Sequence, residues 1–145
     1  MGEALRLRDA RRRHVHVLTV VAVGGSAGAC ARYAAALLWP TGAADFPWTT
    51  LCVNAVGCLV IGAFMVVITE AWTAPPLLRP FFGTGVLGGF TTFSTYCADI
   101  ERLVREGRAA VALAYLALTV VAAMAAVTIG VVGARRVLRT MRGSR

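Results

Sequence analysis

Four apolar stretches, each close to the length of a bilayer crossing, follow one another within 145 residues. They cover residues 15–39, 48–69, 77–97 and 109–134. A hydrocarbon core of ~30 Å takes about 20 residues of helix to cross. In that medium an unpaired backbone N–H or C=O costs several kcal/mol, so the backbone must satisfy itself. The chain is 58% apolar, with a mean hydropathy of +0.70, well outside the range of a soluble domain. Four spans leave no room for a separate soluble unit. The sequence therefore predicts an all-α membrane protein, one domain over residues 1–145 with four transmembrane helices.

The first span has a basic run before it, but it is long and three more spans follow, so it reads as a span and not as a cleaved signal. Cys30, Cys52, Cys58 and Cys97 form no C-x-x-C pair and read as small apolar fillers.

All fifteen basic residues are Arg, and the net charge is +8. Arg6, Arg8, Arg11, Arg12 and Arg13 precede the first span, and Arg135, Arg136, Arg139, Arg142 and Arg145 follow the last. Arg79, in the second loop, shares their side, while Arg102, Arg105 and Arg108 lie on the other. Eleven against three places both basic tails, 1–14 and 135–145, in the cytoplasm. The expected location is the inner (plasma) membrane of a bacterial cell. Positive-inside anchoring explains these ends without a nucleic-acid partner.

The third span is unlike the others. From Gly83 to Tyr96 it reads GTGVLGGFTTFSTY, with four glycines and five Ser or Thr residues. A lipid-facing helix has no use for that composition, because glycine weakens the helix and freed peptide groups need partners. The pattern predicts a helix broken at mid-depth, where something polar passes or binds.

Small residues fall on helical stripes: Gly24 and Gly28; Thr50, Asn54, Cys58 and Gly62; Tyr115, Thr119 and Ala123, then Ala126 and Gly130. Most of these suit close helix packing. Asn54 fits that reading less well, since a mid-membrane amide must find partners. It marks either a polar pathway or a bond to the broken helix. Arg32 is the one fixed charge well inside a span, read as a helix-end clamp or as an anion-attracting vestibule residue. No Asp or Glu lies deep in a span, because Glu70 and Asp99 fall at span ends; a proton-coupled exporter normally needs one. His14 and His16 sit together in the basic arm. No nucleophile–base or metal-ligand constellation appears, so an enzyme is not expected.

The marks occur in a characteristic order: Gly24 to Ala29 followed by Arg32-Tyr33; Thr50 to Asn54 with Gly57 and Gly62; Gly85 to Tyr96; and Glu106-Gly107-Arg108 before a span bearing Tyr115. In this the chain resembles the Fluc (CrcB) fluoride channel family over nearly its whole length. The resemblance implies an antiparallel, dual-topology dimer with two fluoride pores and a broken third helix. It implies a structural Na⁺ at the dimer centre, held by the backbone carbonyls of Gly88 and Thr91. It places Phe93 and Tyr96 along the fluoride path, Asn54 at the pore, and Ser94, Thr95 and Tyr115 as nearby hydroxyls, with Thr119 one turn further on. Arg32 matches the vestibule arginine. The second aromatic is usually Phe in the family, and here it is Tyr96.

The implied function is passive export of cytoplasmic fluoride, which relieves its toxicity, with lipid and a second subunit as partners. Hydroxyls, an amide N–H and electropositive ring edges are donors able to replace the tight hydration of so small an anion. A small multidrug-type exporter of four spans needs a carboxylate in the first span, and none is present. A non-transporting scaffold leaves the break and Asn54 unexplained. The Arg bias favours one orientation of insertion, which points to an oppositely oriented paralogue as the second subunit, with self-pairing as the alternative.

Overall fold

In the computed structural model, residues 2–42, 45–72 and 74–143 are described, with side chains from residue 11 onward. The Arg6, Arg8 and Arg145 side chains counted above lie outside the described residues. The chain is all-α, with no strand among the described residues. Helix α1 runs Gly2–Leu38 and α2 runs Trp48–Val66, prolonged by a π-helical turn, Val67–Ala71. Helix α3 is π-helical over Arg79–Leu87 and continues through Gly88–Phe90. Helix α4 spans Phe93–Arg105 and α5 spans Ala109–Gly143. Pro80 stands at the start of α3, where its missing N–H is not needed.

Among the described residues, three helices are long and apolar enough to cross a membrane: Arg11–Leu38, Trp48–Ala71 and Ala109–Gly143. The stretch between them is divided at Thr91–Thr92. Helices α1 and α5 also run past their apolar segments into the basic tails, since Arg is a good helix former. The projecting end of α5 is tied back to α2. Arg135 Nε lies 2.7 Å from Glu70 Oε1, and the Arg142 guanidinium donates to the Glu70 carbonyl.

Helix α1 packs along α3, while α2 and α4 pack on α5. The first of these crossings is backbone against backbone. A Cβ on Gly24 would strike the Phe81 carbonyl oxygen, and one on Gly28 the Val86 carbonyl oxygen. From the other side, a Cβ on Gly89 would strike the Gly25 carbonyl. Small-residue contacts of this kind let membrane helices approach closely. The second assembly has a conventional core of Leu51, Tyr96, Leu103, Ala112 and Tyr115. Gly107, at φ 73°, ends α4 in a left-handed turn, with the Arg108 N–H returning to the Leu103 carbonyl at 2.9 Å.

The exposed surface is 9853 Å², against about 7,200 Å² for a compact soluble chain of this mass. Leu37, Trp39, Val121 and Met124 all point outward. Such a surface suits lipid or a further subunit, and with the three apolar helices it makes this a membrane protein.

Candidate functional site

The break between α3 and α4 organises the site. Thr91 (φ −75°, ψ 155°) and Thr92 (φ −146°, ψ 122°) are extended between two helical ends. Two glycines weaken the end of α3, and each threonine then competes with the helical ladder. The Thr91 hydroxyl donates back to the Leu87 carbonyl at 2.9 Å. Thr92 Oγ1 caps α4 by accepting the Thr95 N–H at 3.1 Å.

A break leaves terminal carbonyls and N–H groups to be satisfied. Asn54 takes both groups of Thr92. Its Oδ1 accepts the Thr92 N–H at 2.8 Å and its Nδ2 donates to the Thr92 carbonyl at 3.0 Å. Of the two readings left open for Asn54, the bond to the broken helix is therefore present. Arg32 Nε donates to the Gly89 carbonyl at 3.2 Å, so Arg32 clamps the end of α3. That position suits a cation at a helix C-terminus. Gly57 opens the seat for Thr91, because a Cβ there would meet Thr91 Cγ2.

The two carbonyls singled out in the sequence lie where the ladder lapses. The Thr92 N–H, four residues beyond Gly88, is taken by Asn54; the Thr95 N–H, four beyond Thr91, is taken by Thr92 Oγ1. Gly88 is exposed, and a Cβ there would meet nothing within 4 Å.

Beside the break lies a groove of about 300 Å³ between α2, α4 and α5. Asn54, Thr91, Phe93, Tyr96 and Thr119 are among the residues that line it. Phe93 and Tyr96, three apart on α4, bring their rings to 5.8 Å between centroids. Phe93 is 78% exposed and Tyr96 8%. The Tyr96 hydroxyl donates to the Leu116 carbonyl at 3.2 Å, away from its ring edge. Thr119 is 8% exposed, and its Oγ1 is buried with no hydrogen-bond partner among the described residues. A buried hydroxyl without a partner is costly, which sets Thr119 apart from the other hydroxyls near the break.

The remaining hydroxyls, those of Ser94, Thr95 and Tyr115, are not among the groove's lining residues. Ser94 and Thr95 gather on the Thr92 hydroxyl, at 3.3 and 3.0 Å. Tyr115 is fully buried behind Tyr96, 5.3 Å from it and edge-on to Phe46. Gly88 and Arg32 lie on the α1–α3 side of the break and are not among the groove's lining residues.

Sequence reasoning passed over Thr50 and Asp99 as parts of the site. Asp99, read above as a span end, turns inward: its Oδ2 accepts from Thr50 Oγ1 at 2.8 Å and from the Tyr115 hydroxyl at 3.4 Å. The signal was present in the spacing. Thr50 precedes Asn54 by four on α2, Tyr115 precedes Thr119 by four on α5, and Asp99 follows Tyr96 by three on α4. Three helical faces thus share one polar strip, which rises about 4.5 Å from Tyr96 to Asp99.

The family model described as CrcB-like protein, Camphor Resistance (CrcB), matches residues 19–131. The fluoride-specific ion channel FluC 1 of Streptomyces coelicolor is 61% identical over 132 residues, covering 91% of this chain and 86% of its own. FluC 2 of Streptomyces avermitilis, also a fluoride-specific ion channel by name, is 62% identical over 122 residues, covering 81% of this chain and 77% of its own. FluC 2 of Nocardia farcinica, of the same name, is 50% identical over 119 residues, covering 82% of this chain and 85% of its own.

Proposed function

Because the chain belongs to the CrcB family, we propose that it is a fluoride channel, which lets the anion leave the cytoplasm passively and so limits its toxicity. The observation that carries this reading is the groove beside the break, where Asn54, Phe93, Tyr96 and Thr119 come together. A small anion gives up its water only where strong donors stand close together. The rings offer electropositive edges, and Asn54 retains a second amide hydrogen beyond the one spent on Thr92. From the groove the route continues along the polar strip toward Tyr115 and Thr50. No fixed cation is among the residues lining the groove, which suits conduction over tight binding.

In this reading the segment 77–97 is the third of four spans, broken within the membrane, and the channel is an antiparallel dimer. The exposed face of Gly88 supports a neighbour at that point, since nothing within the chain requires a glycine there. The carbonyls of Gly88 and Thr91 would hold a Na⁺ ion at the dimer centre. Hard oxygen ligands whose helical donors are engaged elsewhere fit such an ion, and when bound it would neutralise facing carbonyl dipoles. Arg32 keeps the adjacent Gly89 carbonyl turned to α1. The Arg asymmetry favours cytoplasmic termini in the plasma membrane and an oppositely oriented paralogue as the second subunit. A conducting role calls for no catalytic step.

Proteoliposomes loaded with fluoride and read with a fluoride electrode test this. The expected result is efflux that ignores an imposed proton gradient. Efflux driven only by such a gradient would favour an exporter, and none at all, from this chain alone or with an oppositely oriented paralogue, would overturn the reading.

A further inference from the structure

The outer end of the polar strip holds a carboxylate, an awkward companion for an anion. Asp99 is only 17% exposed at its side chain, and its Oδ2 accepts from the Thr50 and Tyr115 hydroxyls that the route would offer to fluoride. An uncompensated negative charge there repels the permeating ion, and partial burial weakens screening. Arg102, one turn further along α4, answers that charge. Its Nη2 lies 3.6 Å from Asp99 Oδ1, on the side of the carboxylate away from the hydroxyls' acceptor, and its side chain is 27% exposed. Its Nη1 donates to the Gly42 carbonyl at 3.2 Å, which pins the guanidinium between α4 and the α1–α2 connection. The neighbouring charges on α4 are spent on each other, since Arg105 and Glu101 pair at 2.5 Å.

We propose that Arg102 is a positioning residue for anion passage: it cancels the charge of Asp99 at the outer mouth and fixes the carboxylate so that Oδ2 meets the Thr50 and Tyr115 hydroxyls. The proposal rests on the fluoride-channel reading. Arg102 touches no permeating ion; it acts through Asp99.

The test is fluoride efflux from proteoliposomes for the unaltered protein and for R102Q, R102K, D99N and R102Q/D99N. R102Q is expected to slow efflux about tenfold, the effect of one poorly screened charge near the path. R102K keeps the charge and is expected to recover at least half of the lost rate. R102Q/D99N removes both charges and is expected to conduct at the rate of D99N alone. A double variant as slow as R102Q would overturn the proposal, because Arg102 would then be only an anchor for the Gly42 connection. Efflux of R102Q equal to that of the unaltered protein would also overturn it. Where R102Q yields no folded protein by size-exclusion chromatography, R102K decides: slow efflux from well-folded R102K sinks the charge argument, and efflux restored by the Lys supports it. Failure of the channel reading itself has a different signature, no efflux from the unaltered protein.

Discussion

The two halves of the interrupted segment solve opposite problems. Helix α3 contributes backbone. Its glycines press against α1, its Gly89 carbonyl is held from outside by Arg32, and Gly88 faces open space. Helix α4 contributes side chains. It is capped by its own Thr92, and it carries Phe93, Tyr96 and Asp99 along one face onto α2 and α5. Substitutions in α3 should therefore damage assembly before flux, and those in α4 flux before assembly. Asn54 belongs to both halves, because it latches the peptide between them.

The largest effect expected is on the α3 side. Gly28→Val drives a branched side chain into the Val86 carbonyl and the Phe90 N–H, neither of which can swing away. Overpacking of this kind costs about 3 kcal/mol or more. Yield of folded protein in detergent should fall sharply, and fluoride efflux with it. A Gly28→Val protein that melts like the unaltered one would show that α1 and α3 do not cross there. Asn54→Asp comes next and should break both halves at once. It loses the donor to the Thr92 carbonyl and sets a carboxylate against that oxygen. Membrane hydrogen bonds average about 0.6 kcal/mol with a maximum near 1.7 kcal/mol, so the latch as a whole is worth about 1–3 kcal/mol. Efflux should drop by more than tenfold, while folded protein can still be purified. Efflux left intact would remove Asn54 from the route.

How much of this was legible follows the same division. The all-α membrane class was plain, because long apolar runs and paired small residues are local signals. The Thr91–Thr92 interruption was legible too: two glycines and two β-branched hydroxyl residues in succession conflict with helix locally, whatever surrounds them. The role of Asn54 was left between pathway and latch, since the choice depends on where Thr92's backbone points, which no side-chain pattern records. Arg32 was undecided for the same reason, its partner being the carbonyl of Gly89, 57 residues away. Asp99 was missed because hydropathy put it at the end of a span. Its partners, Thr50 and Tyr115, come from two other helices, and only the packing brings them to one oxygen.

Phe93→Ile sharpens the contrast from the α4 side. The ring is mostly exposed in the single chain, so stability should shift by no more than about 0.5 kcal/mol. Efflux should fall about tenfold, because the aliphatic replacement keeps bulk but has no electropositive edge to offer an anion. A variant that conducts normally would reassign Phe93 to packing against lipid or a neighbour.

Tyr96→Phe is the finest probe, because it separates ring from hydroxyl at a single position. The hydroxyl donates to the Leu116 carbonyl, on α5, and not into the groove. Its removal should cost about 0.6 kcal/mol, the average for a hydrogen bond between membrane helices. The ring, its 5.3 Å contact with Tyr115 and its edge toward Phe93 all survive the change. Efflux should therefore change by no more than about twofold, with a small drop in melting temperature as the only other sign. A collapse of efflux in a stable Tyr96→Phe protein would mean that the phenol turns to donate to the passing ion. The route would then depend on a hydroxyl at Tyr96 and not on its ring edge.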